Sequence, residues 1–365
     1  MKRKSKVIFV GKYRIAGNIC SAQNVSFEVF NLHSAKENSD FICYFDDGNI
    51  FSKYQKLFGK RIELASNKGK IIRLGIFKFI LYLFKNRNSI IHIISFEKLG
   101  TISVIFKKIL HLKVVYTIHG IDKIEENYFL PEKVTHRMKY HLCKYLLQSY
   151  SDTIIVPSYL FRKLVLLHLK IPENKILVVP NGISKYFCRF ENKNIIVDSV
   201  KLFSMANPKW KTKGYDFLYN VIKILDINYE LNVICSEDKA VNILSKFNIN
   251  CYNNMSQENL AKFLEQMNIV LITSKIESFS MLAVEAMALG KICIITDTCG
   301  ASEYISNYKN GFVVKYSEVD KVINIIRELF YNRELVENIS TEAKKIYNVL
   351  NWESVYDNYY LKLYS

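Results

Sequence analysis

The stretch from Ser274 to Gly311, SKIESFSMLAVEAMALGKICIITDTCGASEYISNYKNG, decides how the chain folds. It follows the apolar run Ile269 to Thr273 and opens with a polar loop. It then passes through nine residues dominated by Ala, Leu and Met (Met281 to Leu289), stops at Gly290 and resumes as the β-rich run Ile292 to Thr296. Strand, loop, helix and strand in so short a span describe a crossover between two parallel strands. Gly290 suits the left-handed position that commonly ends a helix. Glu277 falls in the loop and Glu285 inside the helix, so two carboxylates eight positions apart sit on different elements.

The same alternation extends outward in both directions. Before it lie Leu202 to Met205 and Leu231 to Ile234, and after it Gly311 to Val314. The first half carries its own set: Val7 to Val10, Phe41 to Tyr44, Ile90 to Ile94, Val114 to Thr117, Thr153 to Val156 and Ile176 to Val179. Short β-rich runs separated by helical patterns imply parallel sheets with helices packed on them. The expectation is an α/β protein of two Rossmann-like domains facing each other across a cleft, residues 1–185 and 186–349, joined near 183–200. Ligands of open parallel sheets bind beyond the carboxyl ends of the strands, so the polar residues there are the ones to examine.

Composition narrows the class. The 365 residues are 50% hydrophobic and 23% charged with 13 Gly and 5 Pro, which excludes collagenous, proline-rich and disordered chains. No run approaches the roughly 20 apolar residues of a spanning helix. Met1 to Lys6 leads into a strand-like run and not into the apolar region of a secretion signal, so the chain is expected to stay in the cytoplasm. The eight cysteines form no CxxC pair and are read as reduced and structural, with no metal site. Residues 1–185 hold 31 Lys and Arg against 13 Asp and Glu, whereas 186–365 hold 20 against 21, so the net charge of +17 belongs to the first half. Such asymmetry points to a polyanionic partner, an anionic membrane surface or nucleic acid, although a Lys- and Asn-rich codon bias gives the same excess. The 24 Tyr and 23 Phe fall in core patterns and no nucleic-acid motif occurs, so nucleic acid is not expected.

The first-turn N–H groups of a helix lack intrahelical partners, and the macrodipole adds positive potential there. The backbone around Phe279, Ser280, Met281 and Leu282, with Ser278 before it, therefore offers a phosphate seat. A carboxylate on each side of such a seat suits a nucleotide sugar, one accepting from sugar hydroxyls and the other from ribose hydroxyls. This segment resembles the donor-binding region of the family 4 retaining glycosyltransferases, with Glu277 to Glu285 matching their E(x7)E motif. The resemblance continues in order through Val114 to Gly120, a strand ending in His-Gly; Asp152 to Ser158; Val178 to Ile183 with its Pro-Asn-Gly; Lys213-Gly214-Tyr215-Asp216; and Trp352 to Tyr364.

What the resemblance implies is a GT-B fold, an N-terminal acceptor domain and a C-terminal donor domain. It also implies a C-terminal helix (350–365) packing back on the first domain, and hexosyl transfer from a nucleotide-diphosphate sugar with retention. The acceptor would be a glycan or polyprenyl-linked glycan, in capsule or O-antigen assembly. Glu277 and His119 become the catalytic candidates, although a strand-end His is equally read as a core residue. Lys213 becomes a diphosphate ligand. The family's Arg shortly before that Lys is absent, so Lys209 or Lys211 is expected to stand in as a point charge. Gly17 sits where the family has a glycine-rich loop near the leaving phosphate. No Asp-x-Asp occurs, so no divalent metal and no cofactor are expected. The competing readings are a GT-B nucleotide-sugar isomerase and a non-catalytic sugar-binding subunit of an assembly complex. Finally, Lys70 to Arg87 has an apolar body with basic flanks, the pattern of an interfacial helix and equally of a crossover helix against a sheet. The first of these would place the protein peripherally on the inner face of the plasma membrane.

Overall fold

A computed structural model describes residues 5–11, 21–44, 53–66, 69–94, 98–120, 134–188, 195–205, 211–234, 247 and 249–365. They form two sheets. The first contains β1 (Val7–Val10), β2 (Ser39–Tyr44), β3 (Lys60–Ser66), β4 (Gly69–Leu74), β5 (Ile90–Ile93), β6 (Lys113–Thr117), β7 (Thr153–Val156) and β8 (Ile176–Val178), in the order β3-β4-β2-β1-β5-β6-β7-β8. All pairs are parallel except β3, which lies antiparallel on β4. The second contains β9 (Val200–Ser204), β10 (Tyr229–Ile234), β11 (Ile249–Tyr252), β12 (Ile269–Ile272), β13 (Ile292–Thr296) and β14 (Phe312–Val314), ordered β11-β10-β9-β12-β13-β14 and parallel throughout. This is the GT-B architecture.

The central strands are near-continuous apolar runs because helices cover both faces of each sheet. In the first sheet Ile8, Ile42, Ile72 and Ile91 face one layer, which includes Phe79 and Leu83, while Phe9, Phe41 and Ile71 face the other with Val29 and Phe30. In the second, Leu202, Leu231 and Ile294 pack with Phe217, Val221, Ile323 and Ile326.

Both sheets reverse their strand order once, between β1 and β5 and between β9 and β12. Loops leaving neighbouring strands at such a point diverge to opposite faces and open a crevice. In the second sheet those loops carry Lys213 (after β9) and Glu277 (after β12).

Three strands escape the sequence reading. β11 is short and polar, INCY. β3 and β4 form a hairpin, and β4 occupies the front of the segment read as an interfacial helix. Ile71, Ile72 and Leu74 are buried in the sheet there, and only Ile76–Lys85 is helical. The C-terminal segment departs from a single regular helix: Trp352–Val355 is α-helical, Tyr356–Tyr360 forms a π turn, and Leu361–Tyr364 is α-helical again. The wider turn accompanies the burial of Tyr356, Tyr360 and Tyr364 together against the first sheet. The Tyr356 hydroxyl is 2.7 Å from His33 Nδ1 and that of Tyr364 2.5 Å from His92 Nδ1. Trp352 covers Gly182, where a Cβ would come within 2.3 Å of the indole.

Candidate functional site

The site grows from two turns laid against each other. After β9 the chain makes a short helical turn, Lys211–Lys213, and reaches Gly214 at φ +65°. A Cβ there would stand 1.6 Å from the Thr273 carbonyl oxygen, so only glycine permits the approach. Lys275 N–H donates to the Thr212 carbonyl at 2.7 Å, and the Thr273 hydroxyl donates to the Lys213 carbonyl at 3.0 Å. This stitching delivers Lys213 Nζ to Glu277 Oε1 at 2.8 Å. Ser274 Oγ donates to the other oxygen, Oε2, at 2.9 Å.

A second set of bonds fixes the loop beyond Glu277. Glu277 N–H donates to the Thr298 carbonyl at 3.2 Å, and its carbonyl accepts from Gly300 N–H at 3.0 Å. Phe279, fully buried, accepts from Ala301 N–H at 2.5 Å. Ser280 is then held at φ +86°, a conformation that costs a non-glycine residue of order 1–3 kcal/mol and persists where its surroundings over-determine it. It starts the helix Met281–Ala288 without capping it through its own hydroxyl. Gly290, at φ +72°, follows that helix in the left-handed conformation expected of it.

Within the helix Glu285 is 4% exposed, and burial raises its carboxyl pKa to about 8. Near neutral pH it is therefore an acid, able to donate from one oxygen and accept on the other. Cys293 and Cys299 are buried nearby, with thiol pKa values pushed up by burial, as expected of structural cysteines.

The N-terminal domain meets this loop directly. Ser158, at the start of the helix Tyr159–Leu169, donates from Oγ to the Ser278 carbonyl at 2.7 Å and accepts from Phe161 N–H at 3.0 Å. Gly300 allows that contact, since a Cβ there would lie 2.3 Å from Ser158 Oγ. Glu303 of the C-terminal domain accepts from Tyr159 and Leu160 N–H at 3.1 and 2.5 Å, capping a helix of the other domain. Ile276, before Glu277, packs against the N-terminal core cluster that holds Ile118, before His119. His119 follows β6. Its Nε2 is buried without a hydrogen-bond partner among the described residues, and desolvation lowers the imidazole pKa to about 4, so the ring is neutral at physiological pH. The adjoining His92 bridges Tyr364 and Thr117 and is neutral for the same reason.

Glu277, Ser278, Phe279, Ser280, Met281, Leu282 and Glu285 thus lie on one loop and helix, Lys213 reaches Glu277 from the turn after β9, and His119 stands at a strand end of the other domain. Gly17 and Lys209 lie outside the described residues, as does the side chain of Lys211. Ser158, Gly300 and Glu303 join the site through bonds to distant parts of the chain that no local pattern announces, and Ser274 through its bond to Glu277 three positions on.

Two family models cover most of the chain in succession. The one described as Glycosyltransferase Family 4 matches residues 32–185, and that described as Glycosyl transferases group 1 matches 189–346. The chain belongs to family 4 of the glycosyltransferases. An uncharacterized 41.2 kDa protein in the cps region of Klebsiella pneumoniae is 28% identical over 223 residues, 59% of this chain and 60% of that protein. The chain therefore matches less than two thirds of that relative. A likeness extending further along the chain is seen with the UDP-Gal:alpha-D-GlcNAc-diphosphoundecaprenol alpha-1,3-galactosyltransferase of Escherichia coli, 20% identical over 356 residues and 89% of each protein. Among solved structures, Anabaena Alr3699/HepE in complex with UDP and glucose shares the fold, with a TM-score of 0.74 at 14% identity over 98% of this chain and 99% of that one.

Proposed function

We propose that this family 4 protein transfers a hexosyl group from a nucleotide-diphosphate sugar to a glycan, with retention at the anomeric carbon. One observation carries the reading: Lys213 Nζ, the Glu277 carboxylate and the start of the Met281 helix converge at the switch point of the second sheet. A departing diphosphate needs fixed positive charge and aimed N–H donors, and Lys213 with the first helical turn supplies both. Glu277 is well placed to accept hydroxyls of the sugar, because Lys213 and Ser274 already orient both of its oxygens. Glu285 lies about one turn into that helix, where its neutral carboxyl would engage the ribose diol. His119 would close the reacting centre from the other domain, its Nε2, which has no hydrogen-bond partner among the described residues, available to a donor-sugar hydroxyl.

In the transfer, the bond from the anomeric carbon to the phosphate oxygen breaks and a bond to the acceptor oxygen forms. The acceptor's proton leaves with the phosphate or a bound base. The cationic seat makes no call on a divalent metal, and no cofactor is proposed. The acceptor we assign is a polyprenyl-linked or growing surface glycan of the capsule or O-antigen kind, a class supported by the undecaprenol-linked acceptor in the name of the Escherichia coli relative. Such an acceptor would bring the enzyme to the inner face of the plasma membrane.

The test is thermal stabilisation by a panel of nucleoside diphosphates and their sugars, repeated with Lys213→Met. One nucleotide should raise the melting temperature of the native protein and lose most of that effect in the variant. Stabilisation by none, or equal stabilisation of both proteins, would overturn the assignment. Glu277→Ala should abolish turnover, and full chelation of divalent ions should leave it intact.

A further inference from the structure

We propose that the outer face formed by Lys53–Phe58, Ile76–Lys85 and Lys98–Leu110 is a docking surface for anionic phospholipid. It deepens the lipid-linked acceptor reading but is carried by other residues, so the two can fail separately. The chain leaves β4 at Gly75, where a Cβ would lie 2.5 Å from the Leu57 carbonyl carbon, so the helix Ile76–Lys85 begins pressed against its neighbour. Phe79 and Leu83, four apart and fully buried, hold it to the sheet. The same helix carries a second apolar row that stays largely open to solvent: Phe77, Leu81 and Phe84 are 49%, 61% and 49% exposed.

That row continues sideways on both flanks. The half-exposed ring of Phe58 stacks on Phe77 with centroids 4.9 Å apart. Phe84 meets the edge of Phe106 at 5.8 Å, and beside Phe106 the side chains of Ile105 and Ile109 are 61% and 66% exposed. Scattered exposed apolar residues need no explanation, but a contiguous strip across three adjacent elements marks an interaction surface.

Charge decides the partner. Lys78, Lys85, Arg87 and Lys108 are exposed around the strip and form no ion pair among the described residues. From residue 64 to 120 the chain holds ten Lys and Arg against a single acidic residue, Glu97. An apolar stripe flanked by basic residues matches the boundary between anionic headgroups and acyl chains, whereas nucleic acid offers no apolar phase for Leu81 or Ile109. A ten-residue helix is about 15 Å long, so it lies along the interface, and no described helix is long and apolar enough to cross a membrane. The helix starts at the carboxyl edge of the sheet, the same edge at which β6 leads to His119, four strand spacings or roughly 19 Å away. A lipid-borne glycan would therefore enter the cleft from the docked side.

Flotation of the full chain with vesicles of phosphatidylcholine alone and of phosphatidylcholine with phosphatidylglycerol tests this. The expected result is recovery with the anionic vesicles only, falling as salt is raised. Lys78→Gln with Lys85→Gln should lower partitioning about 25-fold, near fivefold per charge, and Leu81→Gln with Phe84→Gln should abolish it. Both variants alter exposed side chains, and the circular dichroism spectrum with the urea unfolding midpoint serves as the check of their fold. Equal recovery with both vesicle types, or unchanged recovery of either folded variant, overturns the proposal. So does a dimer in light scattering that Leu81→Gln dissociates while the wild type ignores vesicles, because a second copy then covers the face. If a variant does not fold, the lipid and salt dependence of the wild type decides.

Discussion

Replacing Glu277 by Gln removes one charge from the site and changes little else. The amide oxygen can still accept from Ser274, and the backbone bonds from Thr298 and Gly300 do not involve the side chain. What is lost is the ion pair with Lys213 at 2.8 Å. Coulomb's law at that distance gives ~1.5 to ~6 kcal/mol for effective dielectrics of about 80 to 20. The two side chains are 33% and 20% exposed, so the net coupling is discounted to about 1 kcal/mol. In the free enzyme that coupling competes with the diphosphate for Lys213, and the carboxylate also repels the phosphate. Glu277→Gln should therefore bind a nucleoside diphosphate about fivefold more tightly than the wild type, a gain of about 1 kcal/mol. It should nonetheless lose transfer by ~100-fold or more, because the group that orients the sugar hydroxyls has gone. Isothermal titration with the stabilising diphosphate and with its sugar conjugate measures both sides. A folded Glu277→Gln protein that binds the bare diphosphate tenfold more weakly would show that Glu277 holds the nucleotide, and the role given to it here would be wrong.

Further consequences follow from individual contacts. Gly214→Ala must move the Thr273 carbonyl away from a 1.6 Å overlap and hold Ala in a left-handed conformation. A loss of roughly 2–4 kcal/mol in urea unfolding is expected, together with loss of nucleotide stabilisation. Glu303→Gln weakens a cap between domains and should cost about 1 kcal/mol, read from the same unfolding curves, with a rise in KM for the acceptor larger than any change in nucleotide affinity. Glu285, with its pKa raised to about 8, holds a proton that the unfolded chain releases near 4.5, so it lowers stability progressively as pH climbs between those values. Glu285→Gln should remove that slope and add up to roughly 3 kcal/mol at pH 7, at the cost of nucleotide affinity. His92 and His119 are neutral down to about pH 3 and 4, whereas unfolded histidine takes up a proton near 6.5. Stability should thus fall as pH drops from about 6.5 towards 4, and His92→Gln should reduce that fall in pH-dependent denaturation.

Eleven of the strands were legible because each is a short β-rich run, most of them buried on both faces, that announces itself by composition alone. β3, β4 and β11 were not. β4 runs into a helix across the one-residue break at Gly75, so its buried Ile71 and Ile72 read as the front of a longer apolar segment. β11 is half-polar because it is an edge strand, pairing with β10 on one side. Glu277, Glu285 and Lys213 stand out in sequence through the E(x7)E spacing and the Lys-Gly pair, each with a mechanical reason for its place. Ser158 and Glu303 could not have been found that way. Their partners are the Ser278 carbonyl 120 positions distant and N–H groups 143 and 144 positions distant in the other domain. The protonation of Glu285 is equally invisible in sequence, since it comes from helix burial that only packing reveals.

A crystal structure of the chain with the stabilising nucleoside diphosphate bound examines the central assignment directly. The account predicts the pyrophosphate against the N–H groups of Ser280 to Leu282, with Lys213 Nζ turned from Glu277 towards a phosphate oxygen and the ribose beside Glu285. A nucleotide bound elsewhere, with the Lys213–Glu277 pair intact and the start of the Met281 helix untouched, would contradict it.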